Sequence, residues 1–282
     1  MQTAVRPAAV AGMFYPGTPA VLAAAVHAYL AGAGSADPAL PKALIVPHAG
    51  YAYSGPVAAP AYRCLAAGRS SIKRVVLLGP VHRVPIRGLA LPAADAFVTP
   101  LGTLAVDGDA VARAIELPQV CVSEAAHALE HSLEVQLPFL QTVLDAFRIV
   151  PFAVGDATAE EVAQVIDRLW GGPETLIVIS SDLSHYHPYA AAQQIDRGTA
   201  AAILALDSAL DHEQACGATP INGFALCAQR HGLKPRLLDL RNSGDTAGDK
   251  SRVVGYAAFA FTDPARHVER QRAAAMLEPT DA

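Results

Sequence analysis

Charge is scarce in this chain: 17% of its 282 residues are Asp, Glu, Lys or Arg, whereas 52% are hydrophobic. That balance excludes a disordered protein. Long apolar runs are also missing. Residues 21–30 are interrupted by His27 and give way to Gly32 and Gly34, short of the roughly 18 uninterrupted apolar residues a membrane span needs. No membrane association is expected. Lys and Arg form no cluster, and a net charge of -5 with a pI of about 6.0 leaves no electrostatic footprint for a phosphate backbone. Nucleic acid is not an expected partner. The opening Met1-Gln-Thr-Ala-Val-Arg-Pro7 has neither the basic start nor the apolar block of a signal peptide, so a cytoplasmic location with reduced thiols is expected. The four cysteines, Cys64, Cys121, Cys216 and Cys227, include no CxxC pair, which excludes a zinc ribbon and a thioredoxin-type motif. Internal repeats and low-complexity linkers are absent as well.

The chain is long enough for one large core. Thr18-Pro19 reads as an N-cap followed by Pro at the first helical position, opening a helix to about Ala31. Four apolar runs then read as buried strands: Ala43-Leu-Ile-Val-Pro47, Arg74-Val-Val-Leu-Leu78, Arg148-Ile-Val-Pro-Phe-Ala-Val154 and Thr175-Leu-Ile-Val-Ile-Ser180. Helix-compatible segments separate them, the pattern of a mostly parallel sheet covered on both faces. Arg236-Leu-Leu-Asp-Leu240 and residues 253–261 add two later strands. The expectation is a single α/β domain over residues 1–262, with a mostly parallel central sheet covered by helices and a peripheral tail over 263–282.

Chemistry-bearing residues follow the strands. His48 comes after the first, Gly79-Pro-Val-His82 after the second, and Ser181-Asp182-Leu-Ser-His185-Tyr-His187 after the fourth. In open parallel sheets the ligand crevice lies beyond the carboxyl ends of the strands, so these loops are expected to share a rim. A second group is His127-Ala-Leu-Glu130-His131-Ser-Leu-Glu134, whose spacing on a helix puts His127, His131 and Glu134 near one face. Glu130 and His131 can then join the rim pocket. The string also satisfies the H-x-x-E-H pattern of inverted zinc peptidases, while a plain amphipathic helix burying Leu129, Leu133 and Leu137 explains it equally.

Cys216 lies just ahead of Thr219-Pro220, a helix-opening pair, in a field that favours thiolate. The other three cysteines read as small buried hydrophobes: Cys64 and Cys227 in helices, Cys121 in a Val-rich strand. Imidazoles and a thiolate at one rim suit iron, copper or zinc better than magnesium or calcium. A Cys–His nucleophile, with Cys216 attacking and His185 or His48 as base, is the competing account. The segment 240–252 reads as a surface loop in preference to a lid presenting Arg241 or Asn242.

Five motifs, in order, make the chain resemble the MEMO family: Arg6-Pro-Ala-Ala-Val-Ala-Gly-Met-Phe-Tyr-Pro16, Pro47-His-Ala-Gly-Tyr-Ala-Tyr-Ser-Gly55, Gly79-Pro-Val-His82, Glu130-His-Ser-Leu-Glu-Val-Gln-Leu-Pro-Phe-Leu140 and Ser180-Ser-Asp-Leu-Ser-His-Tyr186. The resemblance implies a fold similar to that of class III extradiol dioxygenases. It implies iron(II) or copper, with zinc as a further fitting ion, held by His48, His82 and Cys216, and His185 as acid or base. The dioxygenases carry a carboxylate where Cys216 stands. Asp182, Glu130 and His131 are expected to orient the ligands, with Tyr51, Tyr53 and Tyr186 lining the pocket. Bacterial and archaeal members resemble the B component of a system with a radical SAM protein and an AMMECR-like protein, so these are the implied partners. The expected function is redox or oxygen-linked chemistry on an unknown ligand; the alternative is a non-catalytic peptide- or protein-binding module.

Overall fold

The computed structural model describes residues 4–34 and 39–264. Its strands, in chain order, are β1 (Val5–Arg6), β2 (Ala43–Val46), β3 (Arg74–Pro80), β4 (Leu89–Leu91), β5 (Ala96–Thr99), β6 (Gly102–Ala105), β7 (Val120–Val122), β8 (Arg148–Val154), β9 (Thr175–Ser180), β10 (His185–His187), β11 (Lys234–Asn242) and β12 (Val253–Thr262). All six expected strands form. Nine strands make one sheet in the order β10-β12-β2-β9-β3-β8-β4-β7, with β11 paired to β12. A small sheet, β1-β5-β6, stands apart from it.

Side chains alternate across the central strands, and both faces are covered. Leu44, Val75, Leu77, Leu176 and Val178 belong to one apolar core, whereas Ile45, Val76, Leu78, Ile177 and Ile179 belong to the other. Helices therefore cover a strand set that reads as continuous apolar sequence. The class is the α/β architecture expected, with one refinement. Only the middle, β2-β9-β3-β8, is a continuous parallel block; β12 joins β2, and β4 joins β8, antiparallel. The short strand β4 carries too little apolar sequence to be seen as a strand beforehand, whereas β7 is the Val-rich strand expected around Cys121.

Register places the rim. Val46 is level with Ser180, and Leu78 with Ile179, so His48, Ser181 and His82 all follow strands that end together. Antiparallel β12 pairs with β2 through residues 259–261 and overhangs its carboxyl end, where Val254 pairs with His185. Thus β10 is delivered to the rim by the length of β12.

Two helix expectations need correction. The helix Pro19–Gly32 forms with Thr18 at its N-cap, as expected, but residues 127–138 do not make one helix. The helix Glu124–Ala128 stops at Leu129, and a short turn precedes the helix Leu137–Val143. Leu129, expected in the core, is 60% exposed, and helical i,i+4 geometry is lost between His127 and His131. The later helix, Ala218–Arg230, starts one residue before Thr219 with Gly217 as its cap. A Cβ on Gly217 would lie 2.6 Å from that of Ser181, so glycine is what lets the Cys216 turn approach the rim. Cys121 is also corrected: it is exposed on β7, at the end of the sheet, while Cys64 and Cys227 are buried. Among the described residues no helix is long and apolar enough to cross a membrane. The expected tail lies, from residue 265 onward, outside the described residues.

Candidate functional site

The rim brings histidines together from three separate segments. His48 is 1% exposed and contacts the rings of His82 and His131 edge-on, with centroids 5.2 and 5.4 Å away. His82 and His131 stack at 4.6 Å. One ring nitrogen from each of the three lies within 4.8 Å of the others. His131, expected as a supporting residue, thus stands as close to the centre as the two expected ligands do. Cys216 joins through His48: its Sγ is 3.3 Å from Nε2.

Proton commitments around the rings fix their tautomers. The Ser180 hydroxyl donates to Ser132 O at 2.6 Å and accepts from Gln136 Nε2 at 2.7 Å. Its proton is spent, so at His48 Nδ1, 2.9 Å away, the ring must donate, leaving the Nε2 lone pair toward Cys216. Glu130 acts likewise on His82. It accepts from the His82 amide at 2.7 Å and from His82 Nδ1 at 2.9 Å, and from the amides of His131 and Ser132 at 2.9 Å. Burial pushes Glu130 up, but the His82 bond and charge, with the amides, outweigh it and hold its carboxyl at about 2. An ionised carboxylate only accepts, so His82 Nδ1 donates to it, and Nε2 is the ring nitrogen left outside that bond. His131 Nδ1 is buried 3.3 Å from Glu130 Oε1 yet forms no hydrogen bond.

Burial is the first cause that lowers the histidines. It drives His48 well below its ordinary value, reinforced by the charges of His82, His131 and His185; it brings His131 to about 4 and also lowers His185. These rings are neutral at neutral pH. Asp182 shows the opposite side of burial: 4% exposed, it rises to about 7 although the His48 amide donates to it at 2.7 Å.

Cys216 departs from its expected thiolate state. Burial, and then the Asp182 charge, push its thiol up to about 12, against the opposing amide donors of Asp182 and Gly217. One helix end is too weak a field to offset that. The thiol proton has the His48 Nε2 lone pair as its acceptor. A bound cation would reverse this balance by deprotonating a coordinating thiol.

The aromatic expectations divide. Tyr53 and Tyr186 border a cleft of about 510 Å³, together with Phe14 and Tyr256, while Tyr51 is buried and donates to Val135 O at 2.8 Å. Tyr51 and Tyr53 sit two apart on the helix Tyr51–Arg63, so they face opposite ways. Tyr51 is therefore a core residue. His127 also leaves the site: its Nε2 faces Ala90 O at 2.8 Å, which removes the inverted-zincin arrangement. Glu134 is completely buried in an ion pair with Arg6 at 2.6 Å. It ties the N-terminal segment, including Phe14 against His131, to the rim. Arg241 pairs with Asp239 and Asn242 caps a turn of helix, so neither faces the cluster; Arg252 borders the cleft instead. Ser180, Ser132 and Gln136 were missed as site residues. The Ser180 and Glu130–Leu140 motifs contained them, but no spacing reveals hydrogen bonds across strands.

The fold and rim define a class, a single-domain α/β protein with an imidazole cluster beyond the carboxyl ends of a parallel block. Residues 6–260 match the family model described as Memo-like protein, and the chain belongs to the Memo family. Relatives named MEMO1 family protein are 37% identical in Aeropyrum pernix, covering 90% of this chain and 98% of that one, and 37% identical in Aquifex aeolicus, covering 91% and 99%. Among solved structures, an uncharacterised Escherichia coli K12 protein, JW3007, matches with a TM-score of 0.53 at 13% identity. It covers 77% of this chain and 98% of its own, a likeness of fold alone.

Proposed function

We propose that the rim is a metal centre for iron(II) or copper, with zinc as the third fitting ion, and that it serves redox or oxygen-linked chemistry. His48, His82 and Cys216 are the proposed ligands, with His131 as a further imidazole donor. The observation that carries this reading is the pair of anchored rings in a cluster whose ring nitrogens lie within 4.8 Å of one another: Ser180 and Glu130 each accept an Nδ1 proton, which leaves Nε2 of His48 and His82 as the nitrogens for a metal. Such anchoring is how partners of ligating histidines raise basicity and set ring orientation. The buried, unbonded Nδ1 of His131 and the neighbouring thiol fit the same donor chemistry. A bound iron or copper ion supplies one-electron redox chemistry and Lewis acidity. His185, lowered by burial, is a neutral imidazole that accepts a proton beside the cluster. Asp182 holds the His48 backbone.

Protein purified without oxygen is expected to take up iron or copper with an electron paramagnetic resonance signal that changes in Cys216→Ser. His48→Ala and His82→Ala are expected to lose affinity. Equal uptake by wild type and all three variants would overturn the ligand assignment. A radical SAM protein and an AMMECR-like protein are the proposed partners, in a cytoplasmic setting that keeps Cys216 reduced.

A second reading, a peptide- or protein-binding module, draws on the cleft of Phe14, Tyr53, Tyr186 and Tyr256 beside His131. Aromatic surfaces of this kind anchor partners. Capture of the radical SAM protein by metal-free protein, with no oxygen consumption by the iron-loaded form, would favour it.

A further inference from the structure

Two clefts reach the imidazole cluster, and His185 borders both. The larger, about 760 Å³, contains His82 and Cys216 in its lining and runs along the segment that follows β3. Its size is that of a pocket for a metabolite-sized ligand. Arg83, the residue after His82, is exposed in this cleft and, among the described residues, makes no hydrogen bond or ion pair. Its neighbours are different. Arg87 is bound to Glu161 and to Asp156 O, and Arg252, in the smaller cleft, lies over Tyr186. Arg83 is also near enough to the cluster for its charge to contribute to lowering His131. The planar fork of its guanidinium matches a carboxylate through two parallel N–H donors. Val84, Ile86 and Val154 give the same cleft an apolar wall.

We propose that the larger cleft binds a small organic carboxylate, with Arg83 as the residue that selects the anion and the Val84, Ile86 and Val154 wall seating the ligand's body. This names a ligand class for the centre proposed above, and rests on that reading only for what the far end of the ligand meets.

Calorimetric titration of the metal-free full chain tests it with benzoate, 3-phenylpropanoate and succinate, and with benzamide as the neutral counterpart of benzoate. At least one carboxylate is expected to saturate wild type with a Kd below about 5 mM. Arg83→Gln should weaken that binding by roughly tenfold to a hundredfold, the range for a lost charge-assisted contact. Arg87→Gln, outside the cleft lining, should leave it unchanged, and benzamide should bind no better to wild type than to Arg83→Gln. Circular dichroism melting of Arg83→Gln checks that it folds, and Arg83→Lys, which keeps the charge without the fork, should recover part of the affinity. Failure of all three carboxylates to bind wild type overturns the inference, as does equal binding by wild type and folded Arg83→Gln. Metal uptake measured on the same samples separates the two readings. Carboxylate binding that needs Arg83 in a protein that refuses metal overturns the metal centre alone, and metal uptake without carboxylate binding overturns the cleft assignment alone.

Discussion

Glu130 and Asp182 are both almost completely buried, 2% and 4% exposed, and both hold a histidine of the cluster. Their states are opposite. Glu130 receives a ring N–H from His82 and three backbone amides, which outweigh the cost of burial and keep it ionised. Asp182 receives backbone amides from His48 and Ala49 and no ring proton, so burial prevails and its proton is held to about pH 7. Depth alone would push both carboxyls the same way. The difference is in the donors, and it assigns distinct work: Glu130 is a fixed charge that sets a tautomer, while Asp182 changes charge near neutrality.

The largest effect expected from breaking that contrast is in Glu130→Ala. It strands the His82 ring proton and three backbone amides, that of Ser132 buried, and should cost about 3–5 kcal/mol in chemical denaturation. Metal affinity should fall by roughly 10–100-fold, as for other anchors of ligating histidines. Titration comes next. Glu130 is depressed from 4.5 to about 2, so its contribution is complete above about pH 4.5 and is lost as pH falls toward 2, a loss of roughly 3 kcal/mol. Asp182 is raised from 3.8 to about 7, so its protonated form favours the folded state at low pH and that advantage is lost as pH rises from 3.8 toward 7. Asp182→Asn, which mimics the protonated acid, should therefore gain stability relative to wild type across that interval, by roughly 4 kcal/mol. A constant difference between the two pH profiles would show that Asp182 does not titrate there. The smallest effect is expected from Ser180→Ala, about 1–2 kcal/mol for the unsatisfied partners it leaves. Its sharper readout is the nitrogen NMR of His48, where the Nδ1 proton should no longer be fixed.

Much of this arrangement was legible in advance for a local reason. Apolar runs such as Ala43–Val46 and Thr175–Ser180 are buried on both faces, and a strand of that kind announces itself by composition. Once the central strands are parallel, their following residues must meet, which is why His48 and His82 were found. The antiparallel flanks were less visible, because β4 and β10 are only three residues each and take their structure from their neighbours. Spacing misled where the helix ended early: His127 and Glu134 were expected near His131, but the break at Leu129 sends one to Ala90 and the other to Arg6. Tyr51 was misplaced because a helix begins there, turning alternate residues to opposite faces.

Sequence alone carried the strands, the rim and the residue types gathered on it, since apolar periodicity and chain order are properties of neighbours. Proton positions and charge states needed the folded chain. Whether His48 presents Nε2 depends on a serine 132 positions away whose own proton goes to Ser132, and whether Cys216 is thiol or thiolate depends on burial against Asp182. Those are sums over groups distant in sequence, and only packing brings them within hydrogen-bond range.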